Sequence, residues 1–247
     1  MRAFGRAAAG VVEVAAALCA GDADLLLMAA GVGARMGLDV RKQWLPVCGR
    51  PLFVFTLERF RRFGFDSAIV VAHPDEAEAV GRELADRGLA DVRVARGGRT
   101  RQESVRRGLA AAAREYVAVH DAARPFVSEE DAAGVLAEAR RTGAATVGHP
   151  ARDTLKRAGA GALVRETVLR EDIWQVQTPQ VFRRDWLLAA HAAAEAGGFA
   201  GTDDAALVEW SGRPVRIVAG SVWNLKLTGG EDLQFLRMWE AFFCGSD

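Results

Sequence analysis

Short apolar runs alternate with amphipathic segments along most of this chain. Residues 25–28, 67–72 and 116–119 have the composition of buried strands, and the segments between them carry apolar residues at helical spacing. In order, the pattern predicts strands at 25–28, 67–72, 91–95, 116–119 and 144–148, and helices at 52–63, 75–87, 101–114 and 129–142. Strands that alternate with helices in this way form a mostly parallel sheet with helices on both faces. We therefore predict an α/β fold.

The alternation changes after residue 150. Residues 154–157 and 163–168 are typical of a hairpin around a turn at 158–161, outside the strand–helix order. The pattern then predicts helices at 184–196, 203–210 and 231–243, and strands at 215–218 and 224–228. No linker or shift in composition indicates a second domain. We predict a single domain over 24–243 that carries an arm at about 150–178.

Residues 1–23 are predicted to be an Ala-rich N-terminal extension. Arg2 and Arg6 precede an apolar stretch, as they would in a signal peptide. However, Glu13 interrupts that stretch, and the first predicted strand follows it at once. Two interpretations stay open: an extension before the first strand, or a start site assigned too far upstream.

The charge and the cysteine content exclude several classes of protein. The 32 basic and 32 acidic residues give zero net charge, which argues against broad binding to nucleic acid or to an anionic membrane. No apolar run is long enough to span a bilayer. The cysteines Cys19, Cys48 and Cys244 are odd in number and widely spaced, so we predict reduced thiols in a cytoplasmic protein rather than disulfide bonds or zinc ligands. We expect neither nucleic acid nor a membrane as a partner.

The strongest chemical signal is the small-residue loop at 29–37, which follows the first predicted strand. Such a loop exposes backbone N–H groups that can bind phosphate oxygens. Met36 occupies the third glycine position of the dinucleotide fingerprint, and the Gly-Lys-Ser/Thr of a Walker loop is absent. The segment instead has two cations, Arg35 and Lys42, and Lys42 is one of only three lysines among the 32 basic residues. The alternative is a glycine turn with solvent-facing charges.

Several motifs in a fixed order carry a family resemblance. The sequence AAGVGARMG, followed by Lys42, Leu-Pro and Gly-Arg-Pro, resembles the signature of sugar-phosphate nucleotidyltransferases. Further stretches narrow the match: GGRTRQESV at 97–105, VHDAARPFV at 119–127, RDTLKR at 152–157 and WQVQTPQVF at 174–182. Together they resemble the 2-C-methyl-D-erythritol 4-phosphate cytidylyltransferase family over about residues 25–233.

The resemblance implies a fold and an activity. The fold is a Rossmann-like nucleotidyltransferase three-layer sandwich, with a protruding β-arm for dimerisation. The activity is transfer of the cytidylyl group of CTP to 2-C-methyl-D-erythritol 4-phosphate, a sugar-alcohol phosphate, with release of pyrophosphate. The attacking phosphate oxygen is already an anion at neutral pH, so positive charge and positioning matter more than a general base. The resemblance also implies Mg²⁺ bound with CTP, a homodimer and a cytoplasmic location in non-mevalonate isoprenoid biosynthesis.

The resemblance also implies roles for individual residues. The catalytic cations, which neutralise the triphosphate, are Arg35, Lys42 and Lys226. The nucleotide-binding residues are Ala29, Ala30, Gly31, Gly33, Gly98 and Ser104. The residues that bind the second substrate are Asp121, Thr178, Thr154 and Arg170, the last two across the dimer through the arm. Asp121 is also the candidate metal ligand, for Mg²⁺.

Some of these residues have simpler interpretations. Asp121 could pair with Arg124, and Arg170 could pair with Glu171, a contact that contributes ~0–1 kcal/mol at an exposed site. His120 is expected to pack at the end of its strand rather than to act as a base. Under these interpretations, the same residues stabilise the fold and have no catalytic or binding role.

The chain departs from the family pattern beside Lys42 and near the cytidine pocket. The family often has Pro before that lysine, where this chain has Arg41. Because Pro restricts its own φ and the residue before it, its absence is expected to loosen the segment that presents Lys42. Arg99 occupies a position at which some members have an acidic residue.

Two other functions fit part of the sequence. One is another polyol-phosphate cytidylyltransferase, such as the ribitol 5-phosphate enzyme, although HDAARP and DTLKR favour methylerythritol phosphate. The other is a non-catalytic nucleotide-binding homologue. Retention of Arg35, Lys42, Lys226 and Arg170 argues against a silent homologue.

Overall fold

The computed structural model describes residues 21–31 and 41–244, except the side chains of residues 242 and 243. The strands are β1 (Ala23–Ala29), β2 (Pro46–Val47), β3 (Arg50–Pro51), β4 (Ala68–Ala72), β5 (Arg93–Arg96), β6 (Tyr116–Asp121), β7 (Ala144–Pro150), β8 (Leu155–Ala158), β9 (Val164–Val168), β10 (Trp174–Arg183) and β11 (Arg216–Ala219). The α-helices are α1 (Leu52–Arg62), α2 (Ala77–Asp86), α3 (Arg101–Leu109), α4 (Glu129–Thr142), α5 (Arg184–Gly197), α6 (Asp204–Trp210) and α7 (Gly230–Phe243). Short 3₁₀ turns lie at Lys42–Trp44, Pro74–Glu76 and Ala160–Ala162. Within the described ranges, none of the helices has the length and apolar character to cross a membrane.

Two stretches named in the sequence analysis lie outside the described residues. They are residues 1–20, which belong to the predicted N-terminal extension, and residues 32–40, which include Gly33 and Arg35.

Seven strands form the central sheet in the order β11-β7-β10-β6-β1-β4-β5. β1 is parallel to both of its neighbours, with Leu26 opposite Ile69 of β4 and Val119 of β6. Only β10 is antiparallel to the strands beside it, among the pairs that the described residues form in this sheet. The helices that connect the parallel strands cover the sheet, so β4 and β6 are buried along their whole length. The predicted α/β fold with a mostly parallel sheet is confirmed.

The side chains of β1 alternate between two hydrophobic cores. Leu25 and Leu27 pack on the face covered by α1, α2 and α4. Leu26 packs on the opposite face, which α3, α5 and α6 cover. All three leucines are fully buried, and each such side chain contributes ~1.5–3 kcal/mol to folding. The result is a helix–sheet–helix sandwich of three layers.

Residues 224–228 differ from the strand predicted there. They cross the carboxyl end of the sheet as an irregular segment, which we call the strap. The backbone of the strap bonds to the loop after β6: the Leu227 N–H donates to the Ala123 carbonyl at 2.8 Å, and the Arg124 guanidinium donates to the Asn224 carbonyl at 2.7 Å. The strand prediction is wrong because these bonds replace pairing with a neighbouring strand.

Strand β10 is absent from the predicted elements. Its sequence, WQVQTPQVFR, interrupts the apolar pattern with three glutamines and a proline. Its ladder with β7 is irregular between Val176 and Gln180, and the strand is nevertheless central, between β6 and β7. Sequence periodicity does not predict this strand, because polar residues occupy positions where a regular buried strand has apolar ones.

The arm is a two-stranded hairpin of β8 and β9. It agrees with the hairpin expected at 154–157 and 163–168. Large apolar side chains on and beside it are exposed in the single chain: Leu163 by 73%, Val164 by 54% and Leu169 by 78%. Such clustering of exposed apolar side chains is typical of a surface that another protein covers.

The structure joins Cys48 to Cys244 in a disulfide bond, with Cα atoms 5.8 Å apart. That separation lies in the ordinary range for disulfides. Helix α7 returns to the β2–β3 hairpin, where the Cys48 N–H also donates to Glu240 Oε1 at 2.8 Å. The prediction of reduced thiols is therefore wrong for these two cysteines, because residues 196 positions apart in the sequence meet in the fold. Cys19 lies outside the described residues.

A buried carboxylate joins several segments near the start of β1. Asp24 accepts hydrogen bonds from the Ser67 hydroxyl and from the backbone N–H groups of Ala113 (2.7 Å) and Arg114 (2.8 Å), and it pairs with Arg93 at 2.7 Å. The two backbone bonds hold the chain after α3, which ends earlier than predicted. Burial opposes ionisation, but the hydrogen bonds and the charge of Arg93 outweigh it and lower the pKa of Asp24.

We predict that Asp24→Ala lowers the free energy of unfolding by about 3 kcal/mol, because it leaves buried donors without an acceptor. The control is Asp91→Ala, which removes an exposed ion pair with Arg61 and should lower it by less than about 1 kcal/mol. Urea denaturation at neutral pH measures both. Equal losses in the two variants would contradict the assignment.

Candidate active site

A cavity of about 320 Å³ opens at the carboxyl ends of β1 and β6, and we call it the main cavity. The residues singled out from the sequence that line it are Ala29, Ala30, Gly31, Lys42, Gly98, Ser104, Asp121 and Lys226. They come from widely separated segments. They meet because parallel strands end at one edge of the sheet, where ligands of open α/β sheets bind.

An ion pair forms one wall of the main cavity. Lys226 Nζ lies 2.7 Å from Asp121 Oδ2, and Arg101 Nε lies 3.7 Å from Asp121 Oδ1. Burial opposes ionisation of Asp121, but the charges of Lys226 and then Arg101 outweigh it and lower the pKa of Asp121 to about 2. Arg124 donates its backbone N–H to the Asp121 carbonyl at 2.9 Å. The carboxylate is thus ionised at neutral pH and holds the Lys226 ammonium.

Lys42 reaches the same cavity from a different segment. It begins the Lys42–Trp44 turn, and its Cε lies 3.7 Å from where a Cβ on Gly31 would be, so the side chain runs over the end of β1. Its Nζ lies 3.5 Å from the carbonyl oxygen of Leu227, the residue that follows Lys226. The strap therefore brings the two lysines together although they are far apart in sequence.

A tight turn between β5 and α3 forms another wall. A Cβ on Gly97 would lie 2.8 Å from the Cβ of Ala30, so the close approach of the turn to the end of β1 requires glycine. The Ser104 hydroxyl accepts a hydrogen bond from the Gly98 N–H at 2.9 Å and donates one to the Thr100 carbonyl at 2.8 Å. Ser104 therefore shapes the turn whose backbone faces the cavity.

A buried network lies beneath the Asp121 end of β6. The Thr178 hydroxyl accepts a hydrogen bond from the Asp121 N–H at 3.1 Å and lies 3.1 Å from His120 Nδ1, while His120 Nε2 lies 3.0 Å from the Arg124 carbonyl oxygen. All these bonds are made when the neutral imidazole carries its proton on Nε2. Burial lowers the pKa of His120 to about 4. His120 is a packed residue, as expected, and it connects the site to β10.

A second cavity of about 330 Å³, the side cavity, shares Arg101, Asp121 and Lys226 with the main cavity. Thr178 lines the side cavity. Its other polar lining residues were not singled out from the sequence and include Gln177, Gln180, Thr202 and Asp203. These residues come from segments without a recognisable motif of their own, apart from the glutamines of WQVQTPQVF.

Arg101 is the functional candidate that sequence reasoning missed most clearly. It bridges Asp121 and Asp204, whose Oδ2 accepts a hydrogen bond from Arg101 at 2.6 Å. It is the first residue of α3, directly after the N-cap Thr100. Its position in GGRTRQESV, at the start of a helix that follows a glycine turn, is the signal that could have found it.

Two residues singled out from the sequence do not reach either cavity. Thr154 and Arg170 lie on the arm side of the chain and are absent from the lining of both cavities. The Arg170 guanidinium donates to the Arg152 carbonyl instead. Within one chain, the structure therefore does not bring these residues to Lys226.

The donor set fits a metal ion only in a limited way. Within residues 21–31 and 41–244, no group of three or more His, Cys, Asp or Glu side chains is arranged to hold a metal. Of the residues that the structure describes, Asp121 is the one carboxylate in the lining of the main cavity. Since Mg²⁺ is usually held by one or two carboxylates together with substrate phosphates, these residues fit an ion that arrives with a nucleotide.

We predict that protonation linked to His120 lowers the free energy of unfolding by about 2–3 kcal/mol between pH 7 and pH 4.5. The unfolded chain takes up a proton below the ordinary imidazole pKa of 6.5, whereas the folded chain stays neutral until the pKa of about 4. Stability is therefore lost as the pH falls through this window. Urea titrations at the two pH values measure the loss.

The same titrations on two variants provide the control. His120→Gln removes the titrating group and should show a smaller loss at pH 4.5, whereas His149→Gln should retain the full loss. The same loss in both variants and in the unmodified protein would show that His120 is not its source.

Comparison with known sequences identifies the family. The sequence model of the 2-C-methyl-D-erythritol 4-phosphate cytidylyltransferase family matches residues 24–239. The protein of that name from Pelotomaculum thermopropionicum is 43% identical over 213 residues, which cover 84% of this chain and 90% of that protein. The one from Halalkalibacterium halodurans is 41% identical over 216 residues, which cover 86% of this chain and 94% of that protein.

Solved structures are similar over the same region. The crystal structure of 2-C-methyl-D-erythritol 4-phosphate cytidylyltransferase from Thermus thermophilus has a TM-score of 0.74 and 37% identity, and the match covers 88% of this chain and 98% of that one. The 4-diphosphocytidyl-2C-methyl-D-erythritol synthase of Anaerococcus prevotii has a TM-score of 0.76 and 29% identity, with 88% and 97% covered. Because the family model matches most of the chain and the relatives from Pelotomaculum thermopropionicum and Halalkalibacterium halodurans are more than 40% identical to it, the chain belongs to the 2-C-methyl-D-erythritol 4-phosphate cytidylyltransferase family.

Proposed function

We propose that the main cavity binds CTP and that the side cavity binds 2-C-methyl-D-erythritol 4-phosphate. The chain joins them to form 4-diphosphocytidyl-2-C-methyl-D-erythritol and pyrophosphate, in isoprenoid biosynthesis. The main support for this site is that Lys42 and Lys226 both line one cavity. A compact ammonium suits phosphate oxygens, and these are two of the three lysines in the chain.

The chemistry requires positive charge more than proton transfer. The phosphate oxygen of the second substrate attacks the α-phosphorus of CTP, and the bond from that phosphorus to pyrophosphate breaks. The attacking phosphate carries about −1.5 to −2 charges and is already a nucleophile. Lys42, Lys226 and Arg35 neutralise the triphosphate and the charge that develops at the five-coordinate phosphorus. His120 is not needed as a base, and both of its ring nitrogens are occupied by hydrogen bonds.

Asp121 has a positioning role in this scheme. Its ionised carboxylate holds the Lys226 ammonium at 2.7 Å before any ligand binds, so little reorganisation is needed when the phosphates arrive. It also lines the side cavity, where it can accept hydrogen bonds from substrate hydroxyls. When Mg²⁺ is bound with CTP it supplies further positive charge to the phosphates, and Asp121 is the side chain that would provide a ligand.

The nucleotide is proposed to lie along the ends of β1 and the glycine turn. The backbone of Ala29, Ala30 and Gly31 approaches the phosphates, and the Gly98–Ser104 turn approaches the cytidine. What supports this placement is the small size of these residues at the wall of the main cavity, which lets backbone N–H groups contact a ligand closely.

The arm is proposed to join two copies of the chain in a cytoplasmic homodimer. Leu163, Val164 and Leu169 expose apolar surface that a second copy would cover. Thr154 and Arg170 would then bind the substrate phosphate in the partner's side cavity, together with Thr178 of that subunit. This arrangement accounts for the distance of the two arm residues from the cavities of their own chain.

The identity of the second substrate has a direct assay. Pyrophosphate release from CTP should be fast with 2-C-methyl-D-erythritol 4-phosphate and at least about tenfold slower with ribitol 5-phosphate at equal concentration, which corresponds to about 1.4 kcal/mol of discrimination. A preference for ribitol 5-phosphate would assign the chain to the other polyol-phosphate enzyme.

We predict that Lys226→Ala lowers kcat/KM by about 10²–10³-fold, because it removes a preorganised cation from the reacting phosphates. The matched control is Lys156→Ala, which removes an exposed lysine that donates to Thr167 on the arm, and which should change kcat/KM by less than about threefold. Steady-state pyrophosphate release measures both, and far-UV circular dichroism confirms folding. Full activity of the Lys226 variant would remove that residue from the mechanism and favour a non-catalytic role for the cavity.

We predict that two inactive variants restore activity when their subunits mix. In a dimer of Arg170→Ala and Lys226→Ala chains, one of the two sites has both residues intact if Arg170 acts across the interface. Random mixing of equal amounts should then recover about a quarter of the original activity. If Arg170 acts within its own chain, or if the chain stays monomeric in gel filtration, no activity returns.

A further inference from the structure

One carboxylate contacts the residues on both sides of Lys42. Glu76 Oε2 accepts a hydrogen bond from Gln43 Nε2 at 2.6 Å, and Glu76 Oε1 accepts one from the Trp44 indole N–H at 3.1 Å. The guanidinium of Arg41 lies 3.4 Å from Glu76 Oε2. Three of the four residues at 41–44 are therefore tied to the same side chain.

Glu76 is itself fixed at the edge of the sheet where the main cavity opens. It ends the Pro74–Glu76 turn, which follows β4, and β4 is paired with β1 along its length. The turn that Glu76 holds is also packed from the other side: Gln43 is buried, and the Trp44 ring lies edge-on to Phe53 with 5.3 Å between ring centroids. Lys42 and Gln43 both line the main cavity, and Lys42 brings a positive charge to it.

We propose that Glu76 is a positioning residue for catalysis, which holds the Lys42–Trp44 turn so that the Lys42 ammonium is directed at the phosphates of CTP. The inference rests on the proposed role of Lys42. It also gives Arg41 a function. Where the family resemblance leads us to expect a proline that restricts the backbone, this chain has an ion pair that restrains the same segment from outside.

Hydrogen bonds to a charged acceptor are stronger than neutral ones, and the Glu76 side chain is only 19% exposed, so water competes weakly for it. A displacement of about 1 Å in a catalytic group can lower a rate by about 10²-fold. Loss of the carboxylate should therefore affect turnover through Lys42 and not through a direct contact with substrate.

The first experiment compares three variants in the full-length protein. Glu76→Ala should lower kcat by about 10–100-fold, with little change in the KM for 2-C-methyl-D-erythritol 4-phosphate. Glu76→Gln keeps an oxygen that can accept one of the two hydrogen bonds, so its loss should be smaller. Glu78→Gln is the control, because that exposed glutamate pairs with Arg96 away from the turn, and it should leave kcat unchanged. Unchanged kcat in folded Glu76→Ala or Glu76→Gln would overturn the proposal.

A double-mutant cycle separates positioning from general stabilisation. In a Lys42→Ala background, Glu76→Ala should lower kcat by less than about threefold, because the group that it positions is gone. The same fold-loss in both backgrounds would show that Glu76 acts independently of Lys42, and the proposal would be wrong. If instead Lys42→Ala alone leaves kcat unchanged, the role of Lys42 in the proposed function fails, which is a different result. If Glu76→Ala does not fold, Glu76→Gln is used in the same cycle.

Discussion

The Asp121–Lys226 ion pair is the interaction on which the site depends. The main cavity brings Lys42, Lys226 and Arg101 together, and these cations repel one another. Asp121 lies between Lys226 and Arg101 and compensates for part of that charge. Because its pKa is lowered to about 2, the Asp121 carboxylate is fully ionised at neutral pH. The ion pair thereby holds the Lys226 ammonium in place. The positive charge of the cavity is local, since the protein as a whole has no net charge.

The geometry of the ion pair is fixed because both of its residues are held where strands end. Asp121 is the last residue of β6, and its N–H is held by Thr178 of β10, which in turn contacts buried His120. Lys226 belongs to an irregular strap, and the strap is fixed by bonds to the loop after β6 and by the fully buried Asn224, which donates to the Thr178 carbonyl at 2.7 Å. This edge of the sheet is thus held together by hydrogen bonds between loops and strand ends. On the other side of the cavity, Glu76 does the same for the turn that carries Lys42.

Sequence patterns predicted the regular elements and missed the irregular ones for identifiable reasons. The helix predicted at 129–142 agrees with α4, because apolar residues at helical spacing are a local signal. Strand β10 was missed because Gln177 and Pro179 interrupt its pattern where it bends at the site. The strand prediction at 224–228 is wrong because short apolar alternation is typical of a strand, whereas the backbone of the strap bonds to a loop. The odd number and wide spacing of the cysteines predict reduced thiols, but spacing in sequence does not show that Cys48 and Cys244 meet after folding.

The sequence by itself determined most of the helices and parallel strands, and the residue types that lie at one edge of the sheet: small residues at the end of β1, a glycine turn before α3, and lysines in a chain that otherwise uses arginine. These are local properties, set by periodicity, by glycine and by charge. Only the tertiary structure decided that Asp121 pairs with Lys226 and Arg101, and that Glu76 holds the turn at Lys42. Those contacts join residues from distant segments, and their geometry depends on how the strands are ordered in the sheet, which no local pattern encodes.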